Sequence, residues 1–366
     1  MPACKLLRAA LLAVLLALPT AVGAQQPGFY VSFSGESSKS SQPITNVYAL
    51  STSGKTLSTT VLDTSQTYQE LRGMVFGPDG KLYVCQAQKS HSAILQFSAT
   101  TSSGGYTRSF LGQYATPQSS SGLVHPYQPA FGSDGNLYVT SQDTNVATAF
   151  LGPASSQPGQ AMPNSPFLQK SYPSGTFNPG TFVPAYSAGK GGVSNVTYVP
   201  TSQGGLTFIT SGSSTHSVRG LAFDNAGHLF VADEGKNRIG VYDATSGAFL
   251  GAITQSSNQS INDPVALYFN AANSTLYIGS PGNQRLFTYD VTNVAKGNFK
   301  ANVLIHDSKL DKLSGITVDA GGNIYTGSRK NNKIYKWSPD GKSSSDFAGP
   351  FSDNPEQIIA VVNVGG

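Results

Sequence analysis

Apolar residues along this chain fall in short consecutive runs rather than in the spaced pattern of a helix face. Five segments repeat one arrangement: an apolar run, a turn rich in Gly, Asn and Asp, then a second apolar run. They read Gly73-Met-Val-Phe-Gly-Pro-Asp-Gly-Lys-Leu-Tyr-Val84, Gln128-Pro-Ala-Phe-Gly-Ser-Asp-Gly-Asn-Leu-Tyr-Val139 and Gly220-Leu-Ala-Phe-Asp-Asn-Ala-Gly-His-Leu-Phe-Val231, followed by Ala266–Ile278 and Gly315–Thr326. Each predicts a β-hairpin, because Asp-Gly and similar pairs supply the positive φ that tight hairpin turns need. Apolar residues at successive positions predict strands covered on both faces, as in sheets stacked on sheets.

Most of these hairpins lead into another. Asn237–Tyr242 leads to Ser246–Leu250, Asn283–Tyr289 to Gly297–Phe299, and Asn332–Trp337 through Pro339-Asp340-Gly341 to Phe347. Four short antiparallel strands per repeat is the signature of a β-propeller blade. The chain ends complete the pattern. Glu356–Val361 reads as an inner strand with no hairpin partner after it, and Phe29–Phe33, Asn46–Leu50 and Thr56–Val61 read as three strands lacking an inner one. Together they make a blade, and closing the ring this way covers two exposed sheet edges. The expected fold is therefore all-β: a six-bladed β-propeller of four-stranded antiparallel blades.

Inner strands are expected near Gly73, Gln128, Gly220, Ala266, Gly315 and Ile358. The interval from Gln128 to Gly220 is far longer than the rest. Gly180–Tyr186 reads as the outer strand of the second blade, which leaves a Pro/Gly-rich insertion over residues 152–217. Asn195–Val199 and Gly205–Thr210 could pair within it as a further hairpin, and a seventh blade would then stand there. Phe167, Tyr172, Phe177, Phe182, Tyr186, Tyr198 and Phe208 make this segment a second candidate binding surface.

Asn237-Arg238-Ile239 with Tyr242, Arg285-Leu286 with Tyr289, and Lys333-Ile334 with Trp337 resemble NHL-type propellers, over most of residues 28–366 except the insertion. That resemblance implies architecture and leaves activity open, since such propellers include binding modules and enzymes. In the Asn-Arg-Ile element the Asn reads as a turn residue and the side chains as braces of the blade edge. Arg72–Gly80 and Ser314–Asp319 are also similar to gluconolactonase-like propellers, which implies a divalent cation in the central channel. The chain departs from that family: Arg72 and Ser314 stand where the family has oxygen ligands. A hard cation needs such oxygens, so no cofactor is expected and a channel cation is disfavoured.

The first 24 residues read as a signal peptide. Lys5 and Arg8 precede the apolar run Ala9–Leu18, and Val22-Gly23-Ala24 offers a cleavage site. The run is short of the roughly 20 apolar residues that span a bilayer. Residues 25–366 then form one propeller domain, expected to be secreted (extracellular or periplasmic) and monomeric. Cys4 leaves with the leader, so Cys85 has no intramolecular partner and reads as a buried, inert thiol. With charged residues at 11% and a net charge of +4 before cleavage, no basic cluster suggests nucleic acid.

The motifs of common hydrolases, nucleotide binders and zinc sites are absent. Asp319-Ala-Gly-Gly-Asn323 lacks the acid spacing of a calcium loop and reads as a hairpin turn. In a propeller, residues just ahead of each inner strand converge on the channel mouth. Here these are Glu70, Arg72, His125, Tyr127, His216, Arg219, Asp263, Lys312, Glu356 and Gln357. Glu70, Arg72, Tyr127, Arg219, Asp263 and Glu356 are the ligand-binding candidates, with Arg72 or Arg219 to hold an anion. His125 and His216 are candidate general bases beside Arg72. The function these features favour is binding of an extracellular protein or carbohydrate. The alternative is a hydrolase or lyase, lactonase-like, working at the channel mouth.

Overall fold

The computed structural model describes residues 25–36, 42–102, 105–117, 119, 123–143, 145–162, 217–256 and 259–361. The expected leader and most of the insertion, including Gly180–Tyr186, the additional hairpin and the aromatic cluster, lie outside the described residues.

Six antiparallel sheets stand around an axis. Blade 1 runs outward through Leu71–Phe76, Leu82–Gln86, Ala93–Phe97 and Phe110–Ala115. Blade 2 contributes Pro126–Phe131, Leu137–Ser141 and Val146–Phe150. Blade 3 holds Val218–Phe223, His228–Asp233, Arg238–Asp243 and Phe249–Ile253. Blade 4 holds Leu267–Asn270, Thr275–Ser280, Arg285–Asp290 and Asn302–His306. Blade 5 holds Leu313–Val318, Ile324–Ser328, Lys333–Trp337 and Ser344–Ala348. Blade 6 joins the two ends of the chain: Pro355–Ala360 is its inner strand, and Phe29–Phe33, Tyr48–Leu50 and Thr56–Ser58 follow outward. Val31 pairs with Ile358 and Phe29 with Ala360, as the edge argument requires.

Each inner strand packs on the next, and the last returns to the first. The inner strand of blade 2 touches that of blade 3 directly. A seventh blade between them has no place in this ring, so that alternative is excluded. Blade 4 corrects a second expectation, because its outer strand is Asn302–His306 rather than Gly297–Phe299. Asp290 caps a 3-10 turn over Val291–Lys296 by accepting from Thr292 N at 3.0 Å, and the turn ends at left-handed Gly297. Phe299 then packs into the seam between blades 3 and 4, which delays the strand.

The hairpin turns form for the reason the sequence suggested. Asp79, Asp134 and Asp319 each accept a hydroxyl from a tyrosine of the following strand (Tyr83 at 3.0 Å, Tyr138 at 2.8 Å, Tyr325 at 2.9 Å). Gly80, Gly135 and Gly322 take the positive φ. Asp319 also accepts Asn323 N at 2.8 Å. Its carboxylate therefore organises a turn, as expected. Burial would raise its pKa, but these hydrogen bonds outweigh burial and lower it.

The second strands of blades 1, 2 and 5 are buried along their whole length. Stacking divides the core into separate seams, one per blade interface. Phe230 and Phe287 belong to the seam between blades 3 and 4. Tyr83 and Phe150 share the seam between blades 1 and 2. Phe29, Tyr325 and Ile358 fill that between blades 5 and 6.

Near the axis the inner strands crowd one another. Glycine occupies the crowded position in blades 1, 3 and 5, where a Cβ on Gly73, Gly220 or Gly315 would lie 2.5–2.9 Å from backbone of the next blade. Gln128, Ala266 and Gln357 occupy it in the blades between. Side chains stitch the blades across these contacts. Ser32 Oγ donates to Arg72 O at 2.6 Å, Ser314 Oγ to Pro355 O at 2.6 Å, and Thr140 Oγ1 to Arg219 O. Asn237, left-handed at φ +52°, accepts Asp263 N of the next blade at 2.8 Å, which gives the Asn-Arg-Ile element its bracing role.

Candidate functional site at the channel mouth

The residue ahead of each inner strand has left-handed backbone in five blades: Glu70, His125, Ser217, Asp263 and Lys312, with φ between +49° and +60°. A non-glycine residue there is strained by about 1 kcal/mol or more. The bend turns the chain from the previous blade's outer edge into the inner strand. Two residues further on, Arg72, Tyr127, Arg219, Val265, Ser314 and Glu356 reach the axis.

They line two spaces. A cavity of about 770 Å³ opens at the mouth. Its walls carry the cations Arg219, Lys312 and Arg329 and the acids Glu234, Asp263 and Asp311. Below it the channel narrows to a void of about 10 Å³ beside Arg72, Tyr127, Gln128, Glu356 and Gln357. That is room for no more than one water molecule. Gln128 Nε2 donates across the axis to Leu267 O at 3.4 Å, and Gln357 Oε1 accepts Met74 N. Tyr127 lines both spaces and marks the boundary between them.

Most of the charges are engaged. Arg72, with its side chain 4% exposed, holds Glu356 at 2.5 Å and Glu36 at 2.7 Å. Burial would lower its pKa, but these acids hold it above the ordinary arginine value. Arg329 shares the same Glu356 oxygen at 3.2 Å. Arg219 binds Glu234 at 2.8 Å and lies 5.1 Å over the Tyr127 ring. The Tyr127 hydroxyl is buried with no hydrogen-bond partner among the described residues, and burial, followed by the charge of Glu356, pushes its pKa up to about 12.

His125 is buried with Nδ1 3.4 Å from Asp143, and it lines neither space. Burial lowers its pKa despite that acid, and Arg72 adds to the lowering. Lys89 meets Asp143 at 2.8 Å. For Asp143, burial would raise the pKa, but His125 and Lys89 bring it below the usual carboxylate value. Glu70 is half-buried and also away from both spaces. His216 lies outside the described residues. The structure thus brings together Arg72, Tyr127, Arg219, Asp263, Lys312, Glu356 and Gln357, and leaves Glu70 and His125 behind them.

Glu234, Gln284 and Arg329 were not foreseen. Glu234 and Arg329 directly follow the second strand of their blade, whose last residue sits beside the first residue of the inner strand, as in Val218 with Asp233 and Leu313 with Ser328, and Gln284 follows the 3-10 turn Pro281–Asn283 after the second strand of blade 4. Antiparallel register alone delivers those turn residues to the mouth.

The residues at the inner-strand starts do not fit the divalent cation of lactonase-like propellers. The Arg72 guanidinium occupies the channel, and the Ser314 hydroxyl is bonded to Pro355 O. Among the described residues no group of three or more His, Cys, Asp or Glu could hold a metal ion. Cys85 is buried, and burial raises its thiol pKa well above the free value, so it is not poised as a nucleophile. Among the described residues no helix is long and apolar enough to cross a membrane.

The sequence matches no protein-family model and no curated protein. Solved structures resemble the fold. A chain of a nidogen/laminin complex aligns with a TM-score of 0.55 and 13% identity, covering 92% of this chain and 99% of that one. A protein from Lactobacillus plantarum aligns with a TM-score of 0.55 and 14% identity over 92% and 99%. The virginiamycin B lyase of Staphylococcus aureus gives a TM-score of 0.47 and 13% identity over 78% and 73%. At these identities the likeness is one of architecture: the chain is a six-bladed propeller.

Proposed function

We propose that this protein is a secreted recognition module that binds an extracellular protein or glycan through the mouth of its channel, without transforming it. The observation that carries this reading is the mouth cavity itself. Its size falls in the range of ligand sites, roughly 300–1,000 Å³. Four of the six charged side chains on its walls are held by partners within the protein, as Arg219 is by Glu234. Such groups are held in place for recognition, whereas a general base needs an open path to substrate. The fold shared with a chain of a nidogen/laminin complex supports a protein partner.

The test is capture on a panel of immobilised extracellular proteins and oligosaccharides, with Val265→Trp to fill the mouth. Capture lost in the variant, with melting unchanged, supports the reading; capture unaffected by the filled mouth refutes it. Sequencing the secreted chain from Gln25 would establish the leader.

A second reading, a hydrolase or lyase, has one observation in its favour, the buried His125–Asp143 pair. Turnover on a lactone and ester panel that disappears in His125→Asn would favour it over binding alone.

A further inference from the structure

We infer that the channel mouth is a dipolar site. It receives an acidic side chain against blade 5 and a basic one against blade 4, both from one segment of a protein partner. This rests on the mouth being the recognition surface and adds what it recognises.

The inference comes from the charges that have no internal match. Arg219 is neutralised by Glu234 at 2.8 Å, and Asp311 by Lys330 at 2.5 Å. Lys312 and Arg329 differ. Arg329 N donates to Lys312 O at 3.1 Å, so backbone pairing holds two cations side by side on blade 5. Lys312 is exposed and has no ion pair among the described residues. Arg329 must share Glu356 with Arg72, and its guanidinium makes no hydrogen bond among the described residues. Lys312 is therefore a cation with no ion pair among the described residues, set beside Arg329, which only shares its carboxylate, and an incoming acidic group would satisfy it.

Asp263 gives the opposite pole. It is exposed on blade 4, held left-handed, and has no ion pair among the described residues. A purely anionic ligand would meet Asp263, and a purely cationic one would meet Lys312 and Arg329. A neutral sugar fares worse again. The aromatic ring lining the cavity is that of Tyr127, and Arg219 covers it. Sugar recognition draws on open aromatic faces. Opposite charges a few residues apart on a peptide match both poles.

The probe is the peptide Ac-Glu-Ala-Ala-Lys-NH2, with three versions in which Gln replaces Glu, Lys or both, titrated by NMR into the full-length secreted chain. The doubly charged peptide should bind most tightly, each Gln weakening it by up to about fivefold, the scale of a partly exposed ion pair. In Lys312→Gln the penalty for losing Glu should vanish while that for losing Lys remains. In Asp263→Asn, which keeps a side chain at ease in left-handed backbone, the reverse should hold. Both positions are exposed, and unchanged melting would confirm that the variants fold. Four peptides that bind alike, none that binds, or penalties that survive in both variants would overturn the inference. If filling the mouth blocks panel capture while the peptides show no charge preference, the recognition reading stands and the dipolar assignment falls.

Discussion

Ile358 offers the most direct measure of what the chain ends contribute. It is fully buried on the last inner strand, opposite Val31, and packs against Tyr325 and Ile334 of blade 5. Ile358→Ala removes three carbons worth about 0.8 kcal/mol each in transfer from water, roughly 2.4 kcal/mol, before any cavity penalty. With that penalty the loss should fall within about 2–5 kcal/mol. At an unfolding entropy near 2.1 cal/mol/K per residue, a domain of this size shifts by about 1.4 °C per kcal/mol, so Tm should drop by about 3–7 °C. The comparison is Leu250→Ala, an outer-strand leucine that is 40% exposed, which should cost less than about 1 kcal/mol. Calorimetry on both variants decides. If Ile358→Ala shifts Tm no further than Leu250→Ala, the joined blade does not stabilise the ring and the packing argument is wrong.

Three further outcomes follow from the channel. Glu356→Gln withdraws the charge shared by Arg72 and Arg329 and should destabilise by about 3 kcal/mol, the low end for a broken buried pair because Glu36 remains; in urea titrations, a loss below about 1 kcal/mol would contradict it. Tyr127→Phe removes a buried hydroxyl that has no partner among the described residues, so it should leave Tm unchanged or slightly raised; a clear drop would show the hydroxyl is satisfied. For His125, burial depresses the folded pKa, so the unfolded chain binds more protons as pH falls below about 6.5. Its contribution is complete above that pH and fades as the medium acidifies; the fall in Tm between pH 7 and 5 should be shallower in His125→Asn than in the parent.

The blades were legible because the cues are local. Asp79-Gly80 must turn, and the apolar run Leu82–Cys85 must be covered on both faces. Closure by Phe29–Phe33 and Pro355–Ala360 was legible as a count of strands missing at one end and spare at the other. The outer strand of blade 4 was not, because a capped turn at Asp290 and an inserted Phe299 shift it by several residues. The channel residues Arg72, Tyr127 and Glu356 followed from their place ahead of the inner strands. What ordering along the chain could not show was depth. His125 and Glu70 occupy the same repeat position as Asp263 and Lys312, yet they sit behind the wall. Arg329 and Glu234 come to the mouth by pairing register, which a single strand does not display.

The alternation of glycine and larger residues around the axis gives the ring a parity. Gly73, Gly220 and Gly315 each yield space to the following blade, so blades interlock in couples and the molecule is a trimer of blade pairs as much as a hexamer of blades. Duplicating one repeat would set two bulky neighbours, or two gaps, side by side.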